Sequence, residues 1–134
     1  RSKPVRRATV RAVARNSRAD VRRQAVRLTR SVAAAEAAEL LFDLLLDEEE
    51  SIRAAAIAEF ARRSLPGVHD IVEQSLEDES RAIRQAAVRG CLQLGDEKAA
   101  SILEAHAEET GDPAVKRAAI RLRVRLRRSR ESTP

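Results

Sequence analysis

Residues 83–88 read IRQAAV, and three other stretches share the pattern: VRRQAV at Val21, IRAAAI at Ile52 and VKRAAI at Val115. Each has a β-branched aliphatic residue, a basic residue, two variable positions, an alanine and a second β-branched aliphatic. The first two intervals between these starts are equal and the third is one longer. A near-constant period of this size marks a repeat architecture, in which one supersecondary unit stacks on the next. A second track keeps the period. The aliphatic pairs Leu40-Leu41, Ile71-Val72 and Ile102-Leu103 follow one another at the same interval, as do Leu45, Leu76 and Ala107. Each unit therefore carries two apolar segments about half a period apart.

Both segments read as helices. Ile83, Ala87, Cys91 and Leu94 advance by steps of four, four and three, which is one face of a helix. Ala86 and Val88 widen that face, as expected for a helix buried on two sides. Gly95 is placed to end this helix and Asp96 to cap the next. Asp112 is a good N-cap with Pro113 at the first helical position. Glu48, Glu49 and Glu50 precede Ile52, where carboxylates favour a helix start. The expected helices lie at about 4–14, 18–32, 35–46, 50–63, 66–77, 80–94, 96–109 and 113–128. A helix-turn-helix unit cannot bury its apolar faces alone, whereas stacked units can. The expected fold is all-α, a right-handed α-solenoid of helix pairs. Composition agrees, with 25 alanines, only Phe42 and Phe60 as aromatics, four glycines and four prolines. Alanine favours helices and lets them approach closely.

Near the end RLRVRLR (Arg121–Arg127) alternates with the period of a strand. The repeat register decides against a strand. Val115, Ala119, Leu122 and Leu126 continue the apolar face of a helix, with Val124 off that face and the arginines outside. This polar outside is expected to act as a terminal cap.

One domain over residues 1–134 is expected. Residues 1–15 form a partial or capping helix containing VRRATV at Val5. Full repeats cover 16–46, 47–77 and 78–110, and a partial terminal repeat covers 111–134. There is no methionine, and Arg1 is not a natural start, so the expectation is a module of a larger protein. No signal-peptide pattern opens the chain. No apolar run approaches the length that a membrane-crossing helix needs. The one cysteine excludes an internal disulfide and fits a reducing compartment, so a cytoplasmic location is expected.

Net charge is +5 but unevenly laid down. Residues 1–30 hold 11 basic and one acidic residue, and residues 31–110 hold seven basic and 18 acidic. Residues 111–134 hold eight basic and two acidic. The ends are basic and the middle is acidic.

The repeated motif, the Leu-Gly-Asp of LQLGDEKAASIL and the DPAVKRAA stretch together resemble HEAT repeats over residues 16–128. The nearest likeness is to the short HEAT-like type first described in phycobilisome lyases. The resemblance implies a curved superhelix used mainly to bind proteins. Some members of that family bind DNA, and a few act on bilin pigments or alkylated bases. The chain departs from the pattern in two places. Asn16-Ser17 and Asp20 replace an Asp-Pro start in the first unit, and Glu59, Arg62 and Arg63 stand at apolar positions of the second.

Three sets of residues carry candidate chemistry. The recurrent basic residue, Arg22, Arg53, Arg84 and Lys116, is expected to meet an acidic side chain or carbonyl of the adjacent turn rather than an outside ligand. The arginines at the ends are candidates for phosphate: Arg6, Arg7, Arg11, Arg15, Arg22 and Arg23, then Arg121, Arg123, Arg125, Arg127, Arg128 and Arg130. Without tyrosine or tryptophan, stacking on single-stranded bases is poorly supported. The second helices carry Glu36, Glu39, Asp43, Asp70, Glu73, Glu104 and Glu108. The resemblance implies that second helices line the concave face, which makes that face acidic and the back basic. An acidic face attracts a basic peptide or helix. The protein-binding candidates are Glu39, Asp43, Asp70, Glu73, Glu104 and Glu108.

Enzyme readings are poorly supported. His69, His106 and Cys91 are scattered without metal spacing. No glycine-rich phosphate loop or Ser-His-Asp spacing occurs, and the aromatics that grip a flipped base are missing. The expected function is a non-enzymatic scaffold for a protein partner or an adjacent domain, with no cofactor and no metal. The alternative is binding of DNA, RNA or an anionic membrane through the arginine-rich ends.

Overall fold

The computed structural model describes residues 3–132. Arg1, on which the expectation of a larger parent protein rests, lies outside the described residues, as do Ser2, Thr133 and Pro134. Eight α-helices are described: α1 (Lys3–Ala14), α2 (Ala19–Leu28), α3 (Ala34–Leu44), α4 (Glu50–Arg63), α5 (Val68–Ser75), α6 (Arg81–Leu94), α7 (Glu97–Thr110) and α8 (Pro113–Glu131). A 3-10 turn, Thr29–Ser31, extends α2. No strand occurs among the described residues. The helices stack as pairs into an α-solenoid.

The helix ends follow the sequence signals. Ser80, Asp96 and Asp112 each accept a hydrogen bond from a backbone N–H of the first turn they precede. Gly95 ends α6 in the left-handed region at φ 61°. Ser64 ends α4 the same way at φ 49°, where a side chain is disfavoured. RLRVRLR lies inside α8, with Leu122 buried, Leu126 half-buried and Val124 exposed at the rim.

The two apolar tracks meet in one continuous core. Ile52, Ile83 and Val115 from the motif join Leu41, Val72 and Leu103 from the second track, and Cys91 is buried with them. Helices α4 and α6 approach closely because the facing residues are small. A Cβ added at Gly90 would stand 3.1 Å from Val72 Cγ1 and 3.5 Å from Ala61 Cβ. In the layer of second helices the contacts are sparser, for α5 and α7 touch little at this junction and α3 and α5 stand apart at the preceding one. The next junction between first helices, α6 with α8, is looser. There α8 lies along α7, and a cavity of about 620 Å³ lies between α6 and the start of α8. The first helices α4 and α6 thus pack more tightly on each other than the second helices do, and the contact between first helices loosens at α8. The loosening falls at Val115, where the repeat interval lengthens by one.

The turns between units are built alike. Asn16, Asp47 and Asp78 each accept a hydrogen bond from the N–H two positions on, at 2.9, 2.9 and 2.8 Å. This is an Asx-turn, and the Thr110 hydroxyl serves Asp112 similarly. The motif arginines then grip the turn. Arg22 donates to the carbonyls of Asn16 and Ser17, Arg53 to those of Asp47 and Glu48, and Arg84 to those of Asp78 and Glu79. The basic ladder is thus structural in three of its four rungs.

The irregular residues of the second unit form a latch. Buried Glu59 accepts from Arg30 at 3.0 Å and from Arg62 at 2.7 Å. Arg63 donates to the carbonyls of Thr29 and Val32. These polar residues replace apolar contact with bonds that tie α4 to the end of the preceding first helix.

Candidate protein-binding groove

The gap between α3 and α5 is a groove of about 320 Å³. Ile57, Ile71 and Ile83 lie along its floor, and Phe42, Leu45 and Leu46 along one wall. Asp43, Gln74, Asp78 and Arg53 supply the polar rim. Leu46 is 85% exposed and Phe42 is 51% exposed. One face of Phe42 is held by Phe60, edge to face, with ring centroids 5.7 Å apart. An exposed aliphatic residue one helical turn from a half-held aromatic is an apolar anchor with a fixed position.

Sequence reasoning passed over Phe42 and Leu46, although a signal was present. In successive units Phe42 is followed by Glu73 and Glu104, and Leu46 by Glu77 and Glu108. Two apolar residues thus stand where the other second helices place glutamates on the surface.

The structure sorts the acidic candidates. Glu39, Asp43, Asp70, Glu73 and Glu108 are on the surface, and Asp43 borders the groove. Asp70 and Glu73 stand on α5, and Glu108 is remote on α7. Glu104 is already engaged, accepting from Arg123 at 2.7 Å. That hydrogen bond holds the Glu104 carboxyl below its ordinary range.

The arginine candidates divide in the same way. Arg123 spans Glu97 and Glu104 at 2.8 and 2.7 Å, and both contacts raise its pKa. Arg22 is buried against Asp47, at 2.8 and 3.1 Å through two nitrogens. This pair holds the Asp47 carboxyl below its ordinary range. Arg23 donates to Ser51, Arg125 to the Leu92 carbonyl and Arg6 to the Ser31 carbonyl. Arg130 stands 3.8 Å from Glu97. Arg7, Arg15, Arg121, Arg127 and Arg128 are exposed, and Arg11 is half-buried.

Elsewhere His69 Nε2 lies 2.8 Å from Asp96, linking the starts of α5 and α7. Burial raises Asp96, but the Ala99 N–H and His69 outweigh it and leave the carboxyl below its ordinary range. Burial, with Asp96 and Glu73 nearby, pushes the Cys91 thiol up to about 12, so it stays protonated. Among the described residues no group of three His, Cys, Asp or Glu is placed to hold a metal. No described helix is long and apolar enough to cross a membrane.

A family model for HEAT repeats matches residues 38–122, from within α3 to within α8 and more than half of the chain. No curated protein matches the chain. The period, the stacked helix pairs and this match agree, and the chain belongs to the HEAT repeats family.

Proposed function

We propose that the chain is a non-enzymatic protein-binding scaffold whose docking surface is the α3–α5 groove. The observation that carries the reading is the Phe42–Leu46 anchor, exposed over an isoleucine-lined floor. Protein binding is also the common role of HEAT repeats. The partner is a peptide or helix with one aliphatic side chain for the groove and basic residues beside it. Asp43, Asp78, Glu39 and Asp70 attract those basic residues, and Asp43 and Asp78 lie at the groove itself. Burying an aliphatic anchor contributes about 1.5–3 kcal/mol, which is about tenfold or more in affinity. The test is selection of displayed peptides on the chain, followed by anisotropy. Selected peptides are expected to carry an aliphatic residue flanked by Lys or Arg. They should lose about tenfold or more in affinity for Leu46→Glu, with helical circular dichroism unchanged. Equal affinity for both proteins removes the groove reading.

One observation favours a second reading, polyanion binding along α8. Arg117, Arg121 and Arg128 share one exposed stripe and have no side-chain partner among the described residues. A salt titration against duplex DNA tests it.

A further inference from the structure

We propose that the cleft between α6 and the start of α8 binds an acidic peptide segment, with a carboxylate of that segment held by Arg84. Both walls of the cleft lie inside the stack, between consecutive described units. The inference does not rest on the reading of the α3–α5 groove.

Arg22 and Arg84 hold the same position in the motif, and each grips its turn through Nη1 alone. That grip leaves Nε and Nη2 for another acceptor. At Arg22 these two nitrogens hold the two oxygens of Asp47, at 2.8 and 3.1 Å. At Arg84 they have no acceptor among the described residues. Asp47 opens the turn that follows the unit of Arg22, whereas the corresponding turn after Arg84 opens with Thr110, which has no carboxylate. Arg84 is half-buried and lines the cavity of about 620 Å³ between α6 and α8. A guanidinium with two parallel donors free matches a carboxylate in shape and charge.

Charge selects the occupant. The cleft is the α3–α5 groove one unit on, with Leu76, Arg84, Val88 and Val115 in the places of Leu45, Arg53, Ile57 and Ile83. Its rim is reversed in sign. Asp43 and Asp78 give way to Gln74 and Thr110, and Glu50 at the helix start gives way to Arg81. Arg81 and Arg89 line the cleft with Arg84, are exposed and have no side-chain partner among the described residues. Asp112 is the one carboxylate of the lining. It caps α8 and forms no ion pair with these arginines. Three arginines against one carboxylate attract an acidic segment. Leu76, Val88 and Val115 supply an apolar floor for a side chain beside its carboxylate. The ligand that this chain itself presents to such an arginine is the carboxylate of Asp47, which favours an acidic peptide over a phosphate.

The probe is a fluorescein-labelled peptide with the sequence of residues 46–51, LDEEES, read by anisotropy against the whole chain. The peptide is expected to bind, and its version with every Asp and Glu changed to Asn and Gln to bind about tenfold or more weaker. Arg84→Lys keeps the charge but not the paired donors, and should weaken binding about tenfold. Arg81→Gln combined with Arg89→Gln, both at exposed positions, should weaken binding by a similar factor without altering helical circular dichroism. No binding, or equal binding by the neutral peptide or by the Arg81→Gln, Arg89→Gln protein, overturns the proposal. So does displacement of the peptide by inorganic phosphate at concentrations at which succinate leaves it bound, because the cleft is then a phosphate site.

Discussion

Glu59 is 3% exposed on a helix face that elsewhere buries aliphatic and small residues. Burial pushes its carboxyl up, but the guanidinium groups of Arg62 and Arg30 outweigh that and hold it below the ordinary value. Charge-assisted hydrogen bonds contribute about 1.5–3 kcal/mol. The two arginines are about half exposed and stay hydrated when the carboxylate is lost, which places Glu59→Gln near ~1.5 kcal/mol. A lowered folded-state pKa contributes stability that is present above the unfolded value and lost as pH falls through the folded one. In urea titrations the gap between the native chain and Glu59→Gln is expected to be constant at neutral pH and to shrink below about pH 4. A gap that widens in acid contradicts the latch. The sequence marks Glu59 as a departure from the repeat, but it does not show that the distant Arg30 is its partner. The pairing of Arg123 with Glu97 and Glu104 was equally hidden, since nothing local joins α8 to α7. Phe42 and Leu46 were legible only by aligning units, because a lone exposed apolar residue is unremarkable on any helix.

Helices were the most legible level. Alanine-rich apolar faces, with Gly95, Asp96, Asp112 and Pro113 as punctuation, place the end of α6 and the starts of α7 and α8 close to expectation. The misses have local causes. Helix α5 starts at Val68, slightly later than expected, because Gly67 before it takes φ 84°. Helix α2 gives way to a 3-10 turn at Thr29, whose hydroxyl donates to the Val26 carbonyl. How closely helices approach was less legible, since it depends on which small residues face each other. Gly90 shows this, because a Cβ there would stand 3.1 Å from Val72. Gly90→Leu is expected to destabilise the chain by about 1–3 kcal/mol through overpacking against Val72 and Ala61. Thermal unfolding of the variant checks it. An unchanged midpoint means that α4 and α6 are not in close contact in solution.

At the scale of the molecule the charge map is the strongest sequence feature, and the fold changes what it means. Much of the basic excess at the ends is engaged internally, through Arg22, Arg123 and Arg125. The three-arginine stripe of α8 neutralises about three phosphates, which gives a slope near about −3 for log affinity against log salt. Binding of duplex DNA is therefore expected to be weak, to vanish near physiological salt and to disappear when Arg117, Arg121 and Arg128 become Gln. Tight binding at physiological salt favours the polyanion reading over the scaffold. The repeat period disclosed the stacking but not which layer packs tightly at each junction, because side-chain size on facing helices decides that. One consequence concerns mechanics. Arg53 and Arg84 fasten each turn to the helix that follows it, so turn and helix move as one piece. Bending is left to the short joints ahead of the turns. The first joint is braced by Arg22 reaching across to Asp47. Among the described residues no such bond joins Arg53 to Asp78, and the groove lies between them. The chain is a leaf spring stiffened at its first joint by Arg22 and left softer at the joints that follow.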